Sequence, residues 1–187
     1  MILVKFILIL TFSLFSIFAA SEDPVYGENG MIVSTSKQAS QAGIEILKKG
    51  GNAIDAAVAV GFALAVTSSS NGNIGGGGFL VGVMNDGETF SLDHREKAPK
   101  RSHRNMFLNE KGDVINGMSL YSRASSGVPG TVDGLIKVLA DYGSGNISLQ
   151  QVLAPAIKLA GKGFHLSHFE AERFNICLLY TSPSPRD

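Results

Sequence analysis

The chain has 187 residues, with 16 Lys plus Arg against 16 Asp plus Glu and a single cysteine. Balanced charge excludes the basic field that holds nucleic acid or an anionic membrane surface, and one cysteine excludes an internal disulfide framework. A hydrophobic share of 44% with 22 glycines excludes wholesale disorder and fits a globular chain of helices and strands.

Residues 1–20 read as a secretory signal peptide. Lys5 supplies the positive start, an apolar run covers 6–18, and Ala19, Ala20 and Ser21 precede the acidic pair Glu22 and Asp23. Cleavage is expected near 19–21. An uncleaved membrane anchor is the alternative, disfavoured because the run is shorter than the ~20 residues a span needs. At the other end, the sequence after Arg173 turns into an apolar patch with Cys177 and then a stretch rich in Ser and Pro. Periodicity stops there, and Pro183 and Pro185 oppose both helix and central strand. Residues 174–187 are therefore expected to be a non-native or disordered tail, with Cys177 carrying no function. The fold is expected within 21–173.

Residues 31–34 suggest a short strand. Ala39, Ala42, Gly43, Ile46 and Leu47 then recur at helical spacing until Gly50 and Gly51 stop the helix. Asn52 is placed to cap the next helix, with Asp55 three residues on. From 53 to 66 that helix is apolar on every side, yet too short to span a bilayer, so it is expected to be buried on all faces. Residues 79–84 and 89–93 read as strands joined by a turn at 85–88. Pro129 and Gly130 introduce a helix over 131–142, closed by Gly143. Ser148 and Gln151 have capping-box spacing and lead a further helix, which Pro155 must either kink or start later. The succession suggests helices layered on a sheet.

Three features invite a chemical reading. Gly75, Gly76, Gly77 and Gly78 lack the spacing of a dinucleotide fingerprint or a P-loop. Before a strand, such residues let a backbone or substrate approach closely, or permit positive φ. His165 and His168 stand three apart and could share a helical face, but two histidines without a third ligand are more simply surface residues. Asp93, His94, Arg95, Glu96 and Lys97 cluster at the end of a predicted strand. A guanidinium there can bind a carboxylate through two parallel N–H donors, as lysine cannot. The commoner use of such a cluster is an ion pair from Arg95 to Asp93 or Glu96.

The blocks GGNAIDAAVAVGFALAVT, GNIGGGGF, DHREKAP and SGVPGTVDGL, in this order from Gly30 to Glu172, resemble the N-terminal part of the gamma-glutamyltranspeptidase large subunit. The resemblance implies an α+β fold: part of a four-layer αββα sandwich of the N-terminal-nucleophile hydrolase type, made as a self-cleaving precursor. It implies that Arg95 binds the α-carboxylate of a γ-glutamyl group. It places the nucleophilic threonine beyond this segment, so no catalytic residue is expected here. The implied partners are glutathione or other γ-glutamyl compounds and the small-subunit portion of the same precursor, with no nucleic acid and no membrane once the signal is removed. No metal or organic cofactor is implied, and the setting is periplasmic or secreted. A glutaryl-type acylase shares these motifs, and a secreted non-catalytic binding domain on the same scaffold is the alternative of another class. Relative to the family pattern, Ser68, Ser69 and Ser70 and also His94 are departures.

Overall fold

The computed structural model describes residues 24–68 and 70–181, the last five by backbone alone. The expected signal peptide, and the prolines of the tail, lie outside the described residues. Two units separate, the first ending at Met31 and the second beginning at Ile32. The described part of the first, residues 24–31, is irregular chain.

The second unit contains α1 (Lys37–Lys48), α2 (Ala53–Thr67), β1 (Phe79–Val83), β2 (Thr89–Asp93), α3 (Met118–Tyr121), a 3-10 turn (Arg123–Ser125), α4 (Thr131–Tyr142), α5 (Leu149–Lys162) and α6 (His168–Thr181). Helix α1 starts where the Ser36 hydroxyl accepts from the Ala39 N–H, and it buries Ala39, Ala42, Gly43 and Ile46. At Gly43 a Cβ would stand 2.7 Å from Val60 of α2, so the missing side chain sets how closely the two helices approach.

Helix α2 begins with a reciprocal box. The Asn52 side chain accepts from the Ile54 and Asp55 N–H groups, and the Asp55 carboxylate accepts from the Asn52 N–H at 2.8 Å. The same carboxylate accepts from the Ser144 N–H, and the Asn52 amide donates to the Tyr142 carbonyl at 2.8 Å. The start of α2 is thereby tied to the end of α4. Asp55 is fully buried, along with Ala56, Val58, Ala59 and Ala63, while Val60, Leu64 and Val66 are only half-buried. The expected burial on every face is therefore incomplete among the described residues: α1, α4 and α5 cover part of the helix, and its remaining apolar positions lack a full layer.

Strands β1 and β2 form an antiparallel hairpin that pairs Phe79 with Asp93 and Val83 with Thr89. The turn places Gly87 at φ 88°, and Asp86 accepts from the Glu88 N–H. Alternation sends Leu80, Phe90 and Leu92 toward the helices, where Phe90 stacks on Tyr142 with ring centroids 3.9 Å apart. The opposite face leaves Phe79, Val81 and Val83 at 66%, 79% and 72% exposure. The observed class is thus a mixed α/β partial domain, with helices on one face of this hairpin.

Two sequence expectations change, and of the two outcomes left open for Pro155 the later start falls away. Residues 31–34 form no strand; the Ser34 hydroxyl instead bonds to the Ser36 carbonyl and to Ser40, a local pattern that competes with pairing. Pro155 does not delay its helix, because the Ser148–Gln151 box fixes the start and the proline lies within α5. Helicity does not stop at Arg173 but runs to Thr181, and the two prolines lie beyond that helix in the sequence. No helix among the described residues is long and apolar enough to cross a membrane.

Removing the Asp55 carboxylate leaves two part-buried backbone N–H groups, of Asn52 and Ser144, without their acceptor. Asp55→Ala should cost about 2–4 kcal/mol in urea unfolding followed by helical ellipticity, and Asp55→Asn, which keeps one acceptor, distinctly less. Expressed by itself, the chain should self-associate and bind a hydrophobic dye through its bare hairpin face. Val81→Lys should reduce both signals without loss of helical ellipticity; an unchanged dye signal would move the sticky surface elsewhere.

Candidate functional site

Period-two alternation continues past the end of β2. Leu92 and His94 face the helices, while Asp93 and Arg95 face outward with Phe79. His94 extends the ladder by one pair, donating its N–H to the Gly78 carbonyl at 3.0 Å and accepting from the Gly78 N–H at 3.4 Å.

The glycine run meets this segment on one side. A Cβ at Gly77 would stand 2.6 Å from the His94 carbonyl oxygen and 2.7 Å from the Arg95 Cα, closer than real side chains come. Gly130 and Gly134 press on His94 from the start of α4. The Gly76 carbonyl accepts from the N–H groups of Gly130 and Thr131, and Lys97 and Val128 exchange hydrogen bonds. The run therefore serves close packing: none of its glycines has positive φ, and at Gly76, Gly77 and Gly78 the bare faces are filled by the chain itself. That packing fixes the Arg95 backbone on both sides.

The Arg95 side chain is 62% exposed, and its Nε donates to Glu96 Oε2 at 3.2 Å. Asp93 plays a different part from the one expected of an ion-pair partner, accepting from the Arg95 backbone N–H at 3.0 Å. The guanidinium also lies over the Phe79 ring, 5.8 Å from its centroid. Among the described residues no hydrogen bond engages the two terminal nitrogens, so the pair to Glu96 leaves a planar donor fork open to a carboxylate. The Glu96 N–H holds its own carboxyl below the ordinary value of 4.5, against partial desolvation and with help from Arg95 and Gly77. A depressed carboxyl keeps its charge above that value and loses it only as pH falls through the lowered one, so the pair is intact at neutral pH.

A groove of about 530 Å³ runs beside the segment, lined by Asp93, His94, Arg95, Lys97, Asp133 and Lys137. Lys137 is committed to Asp141 at 2.7 Å, which raises its pKa above the ordinary lysine value. A similar groove of about 560 Å³ between α1 and α5 carries Lys37, Lys158 and Lys162 around an apolar floor. Chemistry rather than volume favours the first, because it includes a guanidinium with an immobilised backbone.

His165 and His168 do not share a helical face: α6 begins at His168, and both side chains are exposed. His168 instead lies 3.7 Å from Glu172. No group of three or more His, Cys, Asp or Glu suited to a metal occurs among the described residues. The Cys177 side chain lies outside them. Ser68 is buried, and its hydroxyl donates to Glu170 at 3.2 Å, a contact the sequence did not signal. The inward position of His94 also went unforeseen, although its alternation with Phe90 and Leu92 could have revealed it.

The profile of the Gamma-glutamyltranspeptidase family matches residues 39–178. The glutathione hydrolase proenzyme of Pseudomonas sp. strain A14 is 49% identical over 173 residues, which are 92% of this chain and 29% of that protein. The chain thus spans less than a third of this relative's length. The crystal structure of Helicobacter pylori gamma-glutamyltranspeptidase superposes with a TM-score of 0.75 at 45% identity, over 82% of this chain and 44% of that one. Cephalosporin acylase from Bacillus halodurans gives 0.74 at 28% identity, over 91% of this chain and 31% of the other. With the family profile covering most of its length, the chain belongs to the gamma-glutamyltranspeptidase family.

Proposed function

We propose that this chain is the early large-subunit portion of an exported enzyme that transfers γ-glutamyl groups from glutathione and related compounds to water or an amino-acid acceptor. The observation that carries the reading is Arg95: an exposed guanidinium on a backbone with no room to shift, its Nε taken by Glu96 and its terminal nitrogens available. In this reading the fork binds the α-carboxylate of the γ-glutamyl group and sets the distance from that anchor to the γ-carbonyl.

The bond-making groups belong to the small-subunit portion of the precursor. A threonine exposed by self-cleavage attacks the γ-carbonyl through its hydroxyl oxygen, with its own N-terminal amine accepting the proton. Backbone donors stabilise the tetrahedral oxyanion, the amine of the leaving group departs with a proton, and water or an acceptor amine resolves the acyl-enzyme. In the complete protein a second sheet would cover Phe79, Val81 and Val83, giving the four-layer αββα sandwich. The exposure of that face and the half-buried side of α2 support this arrangement.

An acylase acting on glutaryl side chains is the second reading, favoured by a superposition on the cephalosporin acylase nearly as good as that on the transpeptidase. The identity of 45% against 28% supports the γ-glutamyl reading.

In the enzyme matured from the complete precursor, Arg95→Lys should lower kcat/KM for γ-glutamyl-p-nitroanilide by roughly ten- to a hundred-fold, the loss of one aligned charge-assisted hydrogen bond. The 4-aminobutyryl analogue, which lacks the α-carboxylate, should be handled equally by both variants. Thermal stability should hardly move, because an exposed ion pair contributes only about 0–1 kcal/mol. Equal kinetic losses on both compounds would remove Arg95 from the binding site. Export is tested separately: mass spectrometry of the secreted product should find a new N-terminus near residues 19–22. A membrane-bound product that keeps Met1 would establish an anchor instead.

A further inference from the structure

Just past Arg95 the chain concentrates positive charge that the proposed chemistry does not use. Lys97, Lys100, Arg101 and Arg104 are four of the 16 Lys plus Arg, and no Asp or Glu occurs from 97 to 109. All four are exposed, and their side chains enter no ion pair among the described residues. Two successive turns shape the loop: the Ser102 N–H donates to the Pro99 carbonyl at 2.8 Å, and the Met106 N–H to the His103 carbonyl at 3.1 Å. Half-buried Met106, Phe107 and Leu108 anchor its far side. Ser102, Met106 and Phe107 line one hollow of about 300 Å³ together with Glu96 and Lys97, so the loop curls back beside the Arg95–Glu96 pair. We propose that this loop is a specificity element for the leaving group: it favours γ-glutamyl donors whose leaving amine carries a carboxylate of its own over donors whose leaving amine is neutral. The inference rests on the reading of Arg95 as the ligand of the donor's α-carboxylate.

The physical case is electrostatic. Five residues separate Arg95 from Lys100, which limits their Cα atoms to about 18 Å apart at full extension, and the turns shorten that path. A peptide-sized donor spans about 10 Å, the scale of the Debye length at 0.1 M salt. A second carboxylate at its far end therefore moves in the field of several unpaired cations, each acting weakly and all with one sign. The nearby acids do not cancel that field. Glu96 is bound to the Arg95 Nε and Asp93 to the Arg95 N–H, Asp133 shares the neighbouring groove with Lys137, and Glu110 and Asp113 follow only beyond the loop. The chain as a whole is neutral, so the positive field is confined to this region. A confined field suits a small anion better than a long polyanion.

The test uses the enzyme matured from the complete precursor and two donors of equal size, γ-glutamylglycine and γ-glutamylglycinamide. Both carry the α-carboxylate that Arg95 would bind, and they differ by the one distal charge. At about 20 mM salt kcat/KM should favour γ-glutamylglycine by about ten-fold, and the preference should shrink to about two-fold at roughly 0.5 M. Replacing Lys100, Arg101 and Arg104 together by Gln should cut the low-salt preference to about three-fold and leave γ-glutamylglycinamide unaffected. An undiminished preference in that variant overturns the proposal, as does a preference that salt leaves unchanged.

Should the triple variant fail to mature, Arg101→Glu alone decides at low salt. A preference reduced about three-fold supports the loop's role, and an unchanged one overturns it. The proposed function fails in a different way: if neither donor is turned over, that reading falls and the loop's role falls with it. Turnover of both donors with equal kcat/KM removes the loop's role alone.

Discussion

A single buried carboxylate holds the helical layer in register. Asp55 lies at the start of α2, the helix against which α1, α4 and α5 pack, and accepts backbone hydrogens from both Asn52 and Ser144. A buried carboxylate is tolerable only where its lone pairs are met, and here the donors come from two segments far apart in the chain. The arrangement joins a local cap to a tertiary clamp. Because α4 is clamped at its C-terminal end, its N-terminal end is held where Gly130 and Gly134 meet His94. The position of Arg95 thus depends on a carboxylate at the opposite end of α4.

The route from Asp55 to Arg95 is made of close approaches more than of specific bonds. Gly61 of α2 lets Leu135 of α4 come in, so that a Cβ there would stand 3.0 Å from it. The Gly76 carbonyl then caps α4 from outside, and Gly77 seals the Arg95 backbone. Tight contacts at these glycines give rigidity to the Arg95 backbone, at the backbone-entropy cost that glycine carries on folding.

Much of this was legible in the sequence because the relevant signals are short-range. The Asn52 cap, the Ser148–Gln151 box and the turn containing Gly87 are each written within four residues, and each formed as read, Asp55 adding a return bond to the Asn52 N–H. What escaped depended on partners distant in the chain. The glycine run was ambiguous until the backbone of 94–95 was seen against it, and residues 31–34 had strand-like side chains but ended in Ser34, whose hydroxyl has closer hydrogen-bonding partners. The Arg95 cluster showed the opposite limit. Its charges were plain, yet only geometry assigns Glu96 to the guanidinium and Asp93 to the backbone N–H.

Tyr142 joins three elements at once. Its ring stacks on Phe90 of the hairpin at an interplanar angle of 8°, while its carbonyl receives the Asn52 amide at the head of α2. The chain contains no tryptophan, and the tyrosines at 26 and 121 are largely solvated. Among the tyrosines whose side chains are described, this stacked ring is the ordered one, so the sheet–helix junction should carry a near-ultraviolet dichroism of its own. Docking of the hairpin can therefore be followed optically, apart from the formation of the helices, with no label introduced.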